Sequence, residues 1–189
     1  EPLRFLGADI EYLGTRGCPP ILIRGVGTTS SCLVEVKGDI SSQFLSALLL
    51  SAPLCESGLR VVLNGDLVSR KYVDMTCQVM RDFGVWVDRV GYQQFEVSPA
   101  SGYTGCTYEI ESDATGAGYF FAMAAISGAK VIVDGLCSNT LQGDIELLSI
   151  LERMGCQIEQ GVQGQLSWIS VTGPDKLKCV NADMSLLPD

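Results

Sequence analysis

Apolar residues along this chain come in two rhythms that alternate. Short runs with an every-second-residue pattern predict strands at 10–13, 21–25, 32–36, 59–63, 85–87, 94–97, 108–111, 130–133, 156–158 and 167–171. Between them, longer stretches with apolar positions three and four apart predict helices at 41–52, 72–83, 115–126 and 144–154. Pro2 to Gly7 reads as the last turns of a further helix, closed by its glycine. Gly17-Cys18-Pro19-Pro20 is a turn, and the Gly/Thr/Ser stretch at 26–31 is a loop.

Taken in order, these elements repeat. Strand, helix, strand, helix, strand, strand runs from 34 to 97 and again from 108 to 171, with Asp39 answering Asp113 and Gly84 answering Gly155. Phe5-Leu6-Gly7-Ala8-Asp9-Ile10 reads as the tail of an earlier copy. A period this long exceeds that of the short solenoid repeats, so each βαβαββ unit is expected to pack as a small module. Its second helix should bury one face, formed by Tyr72, Val79 and Phe83 in one copy and Leu147, Leu151 and Met154 in the other.

One junction is chemically distinctive. Gly38-Asp39-Ile40-Ser41-Ser42-Gln43 runs straight into Phe44-Leu45-Ser46-Ala47-Leu48-Leu49-Leu50, a polar cluster opening an almost uncharged helix. Asp39, Ser41 and Ser42 are helix-capping residue types. A helix start carries unpaired N–H groups and the positive end of the dipole. Two hydroxyls and a carboxamide there can hold a phosphate or a polyol without a metal, although a plain capped core helix has the same pattern. Asp113 and Asp144, which precede or open helices, are read as structural, and the basic pair Arg70-Lys71 as solvated.

Composition narrows the classes. With 47% hydrophobic and 19% charged residues the 189-residue chain is globular, and no apolar run is long enough for a membrane span. A net charge of −9, from 13 basic and 22 acidic residues, argues against a general nucleic-acid binder. The eight cysteines form no CxxC pair and histidine is absent, so no metal site is expected. Scattered cysteines with apolar neighbours read as buried free thiols suited to a reducing, cytoplasmic setting.

Ser41-Ser42-Gln43 is followed by Leu67-Val68-Ser69-Arg70-Lys71-Tyr72-Val73-Asp74-Met75-Thr76 and by Asn139-Thr140-Leu141-Gln142-Gly143-Asp144. Leu6 to Leu13 stands before them and Leu186-Leu187-Pro188-Asp189 after them. In this order the motifs resemble those of the EPSP synthases, 3-phosphoshikimate 1-carboxyvinyltransferases, along essentially the whole chain. The resemblance implies a fold of class α/β (α+β): repeated βαβαββ modules of the enolpyruvyl transferase fold, an inside-out α/β barrel, in a two-domain enzyme of which this chain is a fragment. Residues 1–111 would then belong to the first domain, as the end of one unit plus one full unit, and 112–189 to one unit of the second.

The same resemblance implies transfer of the enolpyruvyl group of phosphoenolpyruvate to the 5-hydroxyl of shikimate 3-phosphate, with release of phosphate and no cofactor. It implies that Ser41, Ser42, Gln43, Ser69, Tyr72 and Asp189 contact shikimate 3-phosphate. Gln43 would also lie near phosphoenolpyruvate, and Asp189 would accept the 5-hydroxyl proton. Lys71 stands where the family often has proline, which bears on the loop holding Ser69. Lysine and arginine residues that clamp the substrates in the family fall outside this chain. The expectation is therefore a polypeptide that needs further N- and C-terminal segments for activity and is inactive alone. Two alternatives remain: a sugar-nucleotide (UDP-N-acetylglucosamine) enolpyruvyl transferase of the same fold, and a non-catalytic binding or scaffold protein built from the same modules.

Overall fold

The computed structural model describes residues 2–25, 33–39, 41–99, 102–164 and 166–184. The chain forms two compact units, divided between Cys106 and Thr107, a few residues before the expected crossover.

The first unit opens with a short helix α1 (Pro2–Phe5) and an antiparallel hairpin, β1 (Asp9–Tyr12) with β2 (Ile21–Arg24). A complete βαβαββ module follows. It comprises β3 (Leu33–Lys37), α2 (Ser42–Ser51) running into a 3-10 turn (Ala52–Leu54), β4 (Leu59–Asn64), α3 (Arg70–Asp82), β5 (Val87–Val90) and β6 (Gln94–Val97). The sheet order is β3-β4-β6-β5, with β3 and β4 parallel and the other pairs antiparallel.

Alternation fixes which face of that sheet is covered. Val34, Val36, Val61, Leu63, Phe95 and Val97 are buried against Leu45, Leu48 and Leu49 of α2 and Val73 and Met80 of α3. Each such side chain contributes about 1.5–3 kcal/mol through the water it leaves. The buried stripe of α3 is Val73 and Met80; Tyr72, Val79 and Phe83, expected to form it, lie beside that line and are half-buried. The apolar period of the helix was legible, but not which of two adjacent lines faces the sheet.

The second unit contains α4 (Ala114–Ser127), β7 (Lys130–Asp134), a 3-10 turn (Gly143–Glu146), α5 (Leu147–Arg153), β8 (Gln157–Gln163) and β9 (Leu166–Thr172). Its antiparallel sheet has the order β7-β9-β8, the counterpart of β4-β6-β5. Ala117, Phe121, Ala124 and Ala125 of α4 pack with Leu136, Leu151, Ile169 and Val171. The backbone of Gly173 passes so close to α4 that a Cβ there would lie 2.2 Å from the Ala124 carbonyl oxygen.

The repeat extends to hydrogen bonds. Helices α3 and α5 both end in a Schellman motif: Gly84 N–H donates to Arg81 O and Val85 N–H to Met80 O, as Gly155 donates to Glu152 O and Cys156 to Leu151 O. One expected element is missing. Residues 108–111 are not a strand; Tyr108 and Ile110 are exposed there, so neither face of the segment is covered by the core. Ser112 reaches the end of β7, its N–H donating to Gly135 O at 2.9 Å and its hydroxyl to Asp134 O at 2.7 Å.

Candidate functional site

Parallel pairing of β3 and β4 brings the two motifs of unit 1 to one sheet edge. Lys37 and Asn64 are register partners at the carboxyl ends of these strands. From that edge the chain enters α2 on one side and α3 on the other, so both helix N-termini stand over it, where open α/β sheets hold ligands. The two loops are zipped together. Gly38 N–H donates to Asn64 O at 3.0 Å, and Val68 N–H donates to Gly38 O at 3.2 Å. Gly38 suits this approach: a Cβ there would stand 3.0 Å from Asp66 O and 3.3 Å from Gly65 O, closer than ordinary van der Waals contact. Further along, the Ser46 and Thr76 hydroxyls bond at 2.8 Å and tie α2 to α3.

The expected residues within the described part of the chain have definite places. Ser41 is the N-cap of α2, in extended conformation, its Oγ accepting from Gln43 N–H at 3.2 Å. Ser42 is buried at 5% exposure, and Gln43 is exposed. Ser69 stands at the N-cap position of α3 with φ 53 and ψ 47, the left-handed region, and is the one non-glycine with positive φ among the described residues. That conformation costs a non-glycine residue about 1–2 kcal/mol. The Ser69 side chain makes no capping bond. Tyr72, in the first turn of α3, is half-buried, and its N–H donates to Ser69 O at 3.1 Å. Five of the six expected residues thus share one edge, and Asp189 lies outside the described residues, as do residues 26–31 and the Leu186-Leu187-Pro188 segment.

The duplicated edge of unit 2 is closed to anions. Asp113 Oδ1 accepts from Thr115 N–H at 3.1 Å and its Oδ2 from Gly116 N–H at 3.0 Å, while Gln142 Oε1 takes the Ala114 N–H at 2.7 Å. The first-turn donors of α4 are therefore satisfied, and a carboxylate already occupies the positive end of its dipole. Ser41, not Asp39, is the structural counterpart of Asp113, because both are N-caps. Asp144 accepts from the Thr115 hydroxyl and is 9% exposed, in keeping with its structural reading. A modular copy has kept its fold while only the first unit keeps an uncharged helix start.

Some residues at the edge escaped sequence reasoning. Arg70 is not simply solvated: its Nε donates to Leu67 O at 3.3 Å and its guanidinium lies 5.0 Å from the centre of the Tyr92 ring. Tyr92 in turn donates to Asp74 Oδ2 at 2.7 Å, and Asp74 also pairs with Arg89. Nothing in the local sequence joins residue 70 to residue 92; the sheet does, by setting the β5–β6 turn beside the start of α3. The thiols also differ from expectation. Cys55 and Cys156 are buried and Cys77 and Cys137 half-buried, but Cys18, Cys106 and Cys179 are exposed, and all seven are free. Burial pushes the Cys55, Cys77 and Cys156 thiols above the ordinary range. Among the described residues no helix is long and apolar enough to cross a membrane, and no cluster of metal-binding side chains occurs.

The architecture is that of the enolpyruvyl transferases. The enolpyruvyl transferase NikO from Streptomyces tendae superimposes with a TM-score of 0.61 over 93% of this chain and 42% of its own, at 14% identity, a likeness of fold alone. EPSP synthase from Acinetobacter baumannii superimposes with a TM-score of 0.69 over 99% of this chain and 42% of its own, at 25% identity. By sequence, the 3-phosphoshikimate 1-carboxyvinyltransferase of Erwinia tasmaniensis is 42% identical over 190 residues, covering 100% of this chain and 43% of that protein. Its counterpart in Cellvibrio japonicus is 38% identical over 192 residues, covering 100% of this chain and 44% of that protein. Residues 1–189 match the EPSP synthase (3-phosphoshikimate 1-carboxyvinyltransferase) family, and the chain belongs to it. It spans less than half the length of these relatives.

Proposed function

We propose that this chain supplies the shikimate 3-phosphate-binding edge of an EPSP synthase. The reaction adds the 5-hydroxyl oxygen of shikimate 3-phosphate to C2 of phosphoenolpyruvate while C3 takes a proton, then expels phosphate as C3 gives a proton back. The observation that carries the reading is the meeting of Ser41, Ser42, Gln43, Ser69 and Tyr72 at the carboxyl edge of a parallel strand pair, beneath two helix N-termini. An uncharged helix start there suits a phosphate, and the hydroxyls and carboxamide suit a polyol ring. Gln43, exposed beside the cap, also serves phosphoenolpyruvate, and Asp189 takes the 5-hydroxyl proton. No metal or organic cofactor takes part, and the protein works in the cytoplasm, where free thiols persist.

The 189-residue polypeptide alone carries one wall of such a site and does not turn over. The cationic groups that hold two anionic substrates would come from the part of such an enzyme that this chain does not span. NMR titration of the polypeptide with shikimate 3-phosphate should move the amides of residues 41–43 and 68–72. Shifts confined to a UDP-sugar titration would favour the sugar-nucleotide alternative, and shifts with neither ligand would favour a scaffold.

A further inference from the structure

We propose that Tyr92 is a positioning residue that, acting through Arg70, holds Ser69 in its left-handed conformation at the anion-binding edge. The inference rests on the functional reading above only for the use that conformation serves. Ser69 is the one described non-glycine with positive φ, and its own side chain does not stabilise the turn by capping α3. Something outside the residue must therefore determine it. The next residue supplies the link. Arg70 returns to Leu67 O, closing residues 67–70, and sets its guanidinium 5.0 Å from the Tyr92 ring centre.

Tyr92 is a firm support for that link. It packs partly buried against the unit 1 core, and its hydroxyl donates to Asp74 Oδ2 at 2.7 Å, one turn further along α3 from Arg70. Arg89 pairs with the other oxygen of Asp74 and also stands 5.1 Å from the Tyr92 ring centre. The β5–β6 turn is thus bonded to α3 at two levels, through Arg70 and through Asp74. On the other side of the loop, Val68 N–H is held by Gly38 O. Ser69 lies between these two attachments, and its backbone has little freedom to relax into the right-handed region.

The test uses the 189-residue chain and reads the backbone directly. In the parent, the Cα and Cβ shifts and the HN–Hα coupling of Ser69 should report a left-handed residue. Tyr92→Leu should remove that signature, and so should Arg70→Gln, which breaks the same contact from an exposed position and leaves the core intact. Tyr92→Phe, which keeps the ring, should preserve it. In a Ser69→Gly background, where left-handed backbone is easily adopted, Tyr92→Leu should no longer shift the amides of Val68 and Arg70 beyond what the glycine alone does. Shikimate 3-phosphate affinity should fall roughly tenfold in Tyr92→Leu and Arg70→Gln as the loop relaxes. A left-handed Ser69 persisting in both variants overturns the proposal. Loss of the signature with unchanged affinity for the ligand overturns the positioning role, and with it the place of Ser69 in the site. If the parent binds no shikimate 3-phosphate, the functional reading fails, and the Ser69 signature alone decides whether Tyr92 holds the turn.

Discussion

Unit 2 suggests how to separate folding from binding in unit 1. Replacing Ser41 with Asp reproduces at α2 the cap that Asp113 provides at α4, where the carboxylate receives two backbone N–H groups at 3.1 and 3.0 Å. Both caps already have extended backbone, φ −166 and ψ 135 at Ser41 and φ −73 and ψ 115 at Asp113, so the exchange needs no rearrangement. Asp and Ser cap about equally well, and a carboxylate gains about 0.3–1 kcal/mol from the helix dipole. Ser41→Asp should therefore be as stable as the parent or slightly more so, whereas Ser41→Ala should lose about 1 kcal/mol.

Binding should respond in the opposite sense. A carboxylate and a phosphate charge about 4 Å apart repel by about 1 kcal/mol in water and about 4 kcal/mol at the edge of a protein. Ser41 is half-exposed, which favours the lower half of that range, about 1–2 kcal/mol. Affinity for shikimate 3-phosphate or inorganic phosphate should accordingly fall about five- to thirtyfold. Urea unfolding gives the stability and NMR titration the affinity. Equal phosphate binding by Ser41→Asp and the parent would refute the anion-binding edge; a variant less stable than Ser41→Ala would refute the capping argument.

Three other outcomes follow from the same geometry. Asp113→Ala should destabilise unit 2 by about 1–2 kcal/mol in urea unfolding, and Asp113→Ser should restore most of it, because a hydroxyl can still cap α4. Gly173→Ala should cost about 3 kcal/mol, since its Cβ would lie 2.2 Å from a helix carbonyl oxygen that cannot turn aside; a melting temperature equal to the parent's would contradict the close approach. In the native chain at neutral pH, Cys18, Cys106 and Cys179 should alkylate well before Cys55, Cys77 and Cys156, which are less accessible and have raised thiol pKa values. Peptide mass mapping reads the order, and early labelling of Cys156 would contradict the packing of α5.

Much of this protein is local and was readable without coordinates. The βαβαββ repeat, both glycine-closed helix ends and the capped start of α2 follow from apolar period, capping chemistry and glycine's tolerance of left-handed backbone. These are interactions between residues a few positions apart. The missing strand at 108–111 shows where that reasoning stops: its alternation was real, but no core covers either face. The stripe of α3 likewise turned out to be Val73 and Met80, because the sheet selects one of two neighbouring lines.

Which residues form a site was settled by pairing over distance. The sequence determined that hydroxyls and an amide would stand at helix starts, since short polar side chains bond the nearest unpaired N–H groups. Only the parallel register of β3 and β4 set Ser41–Gln43 and Ser69–Tyr72 on one edge, and only the β5–β6 turn brought Tyr92 to Arg70. Strand pairing is chosen by which apolar faces the whole module can bury together, so no short stretch of sequence contains the answer.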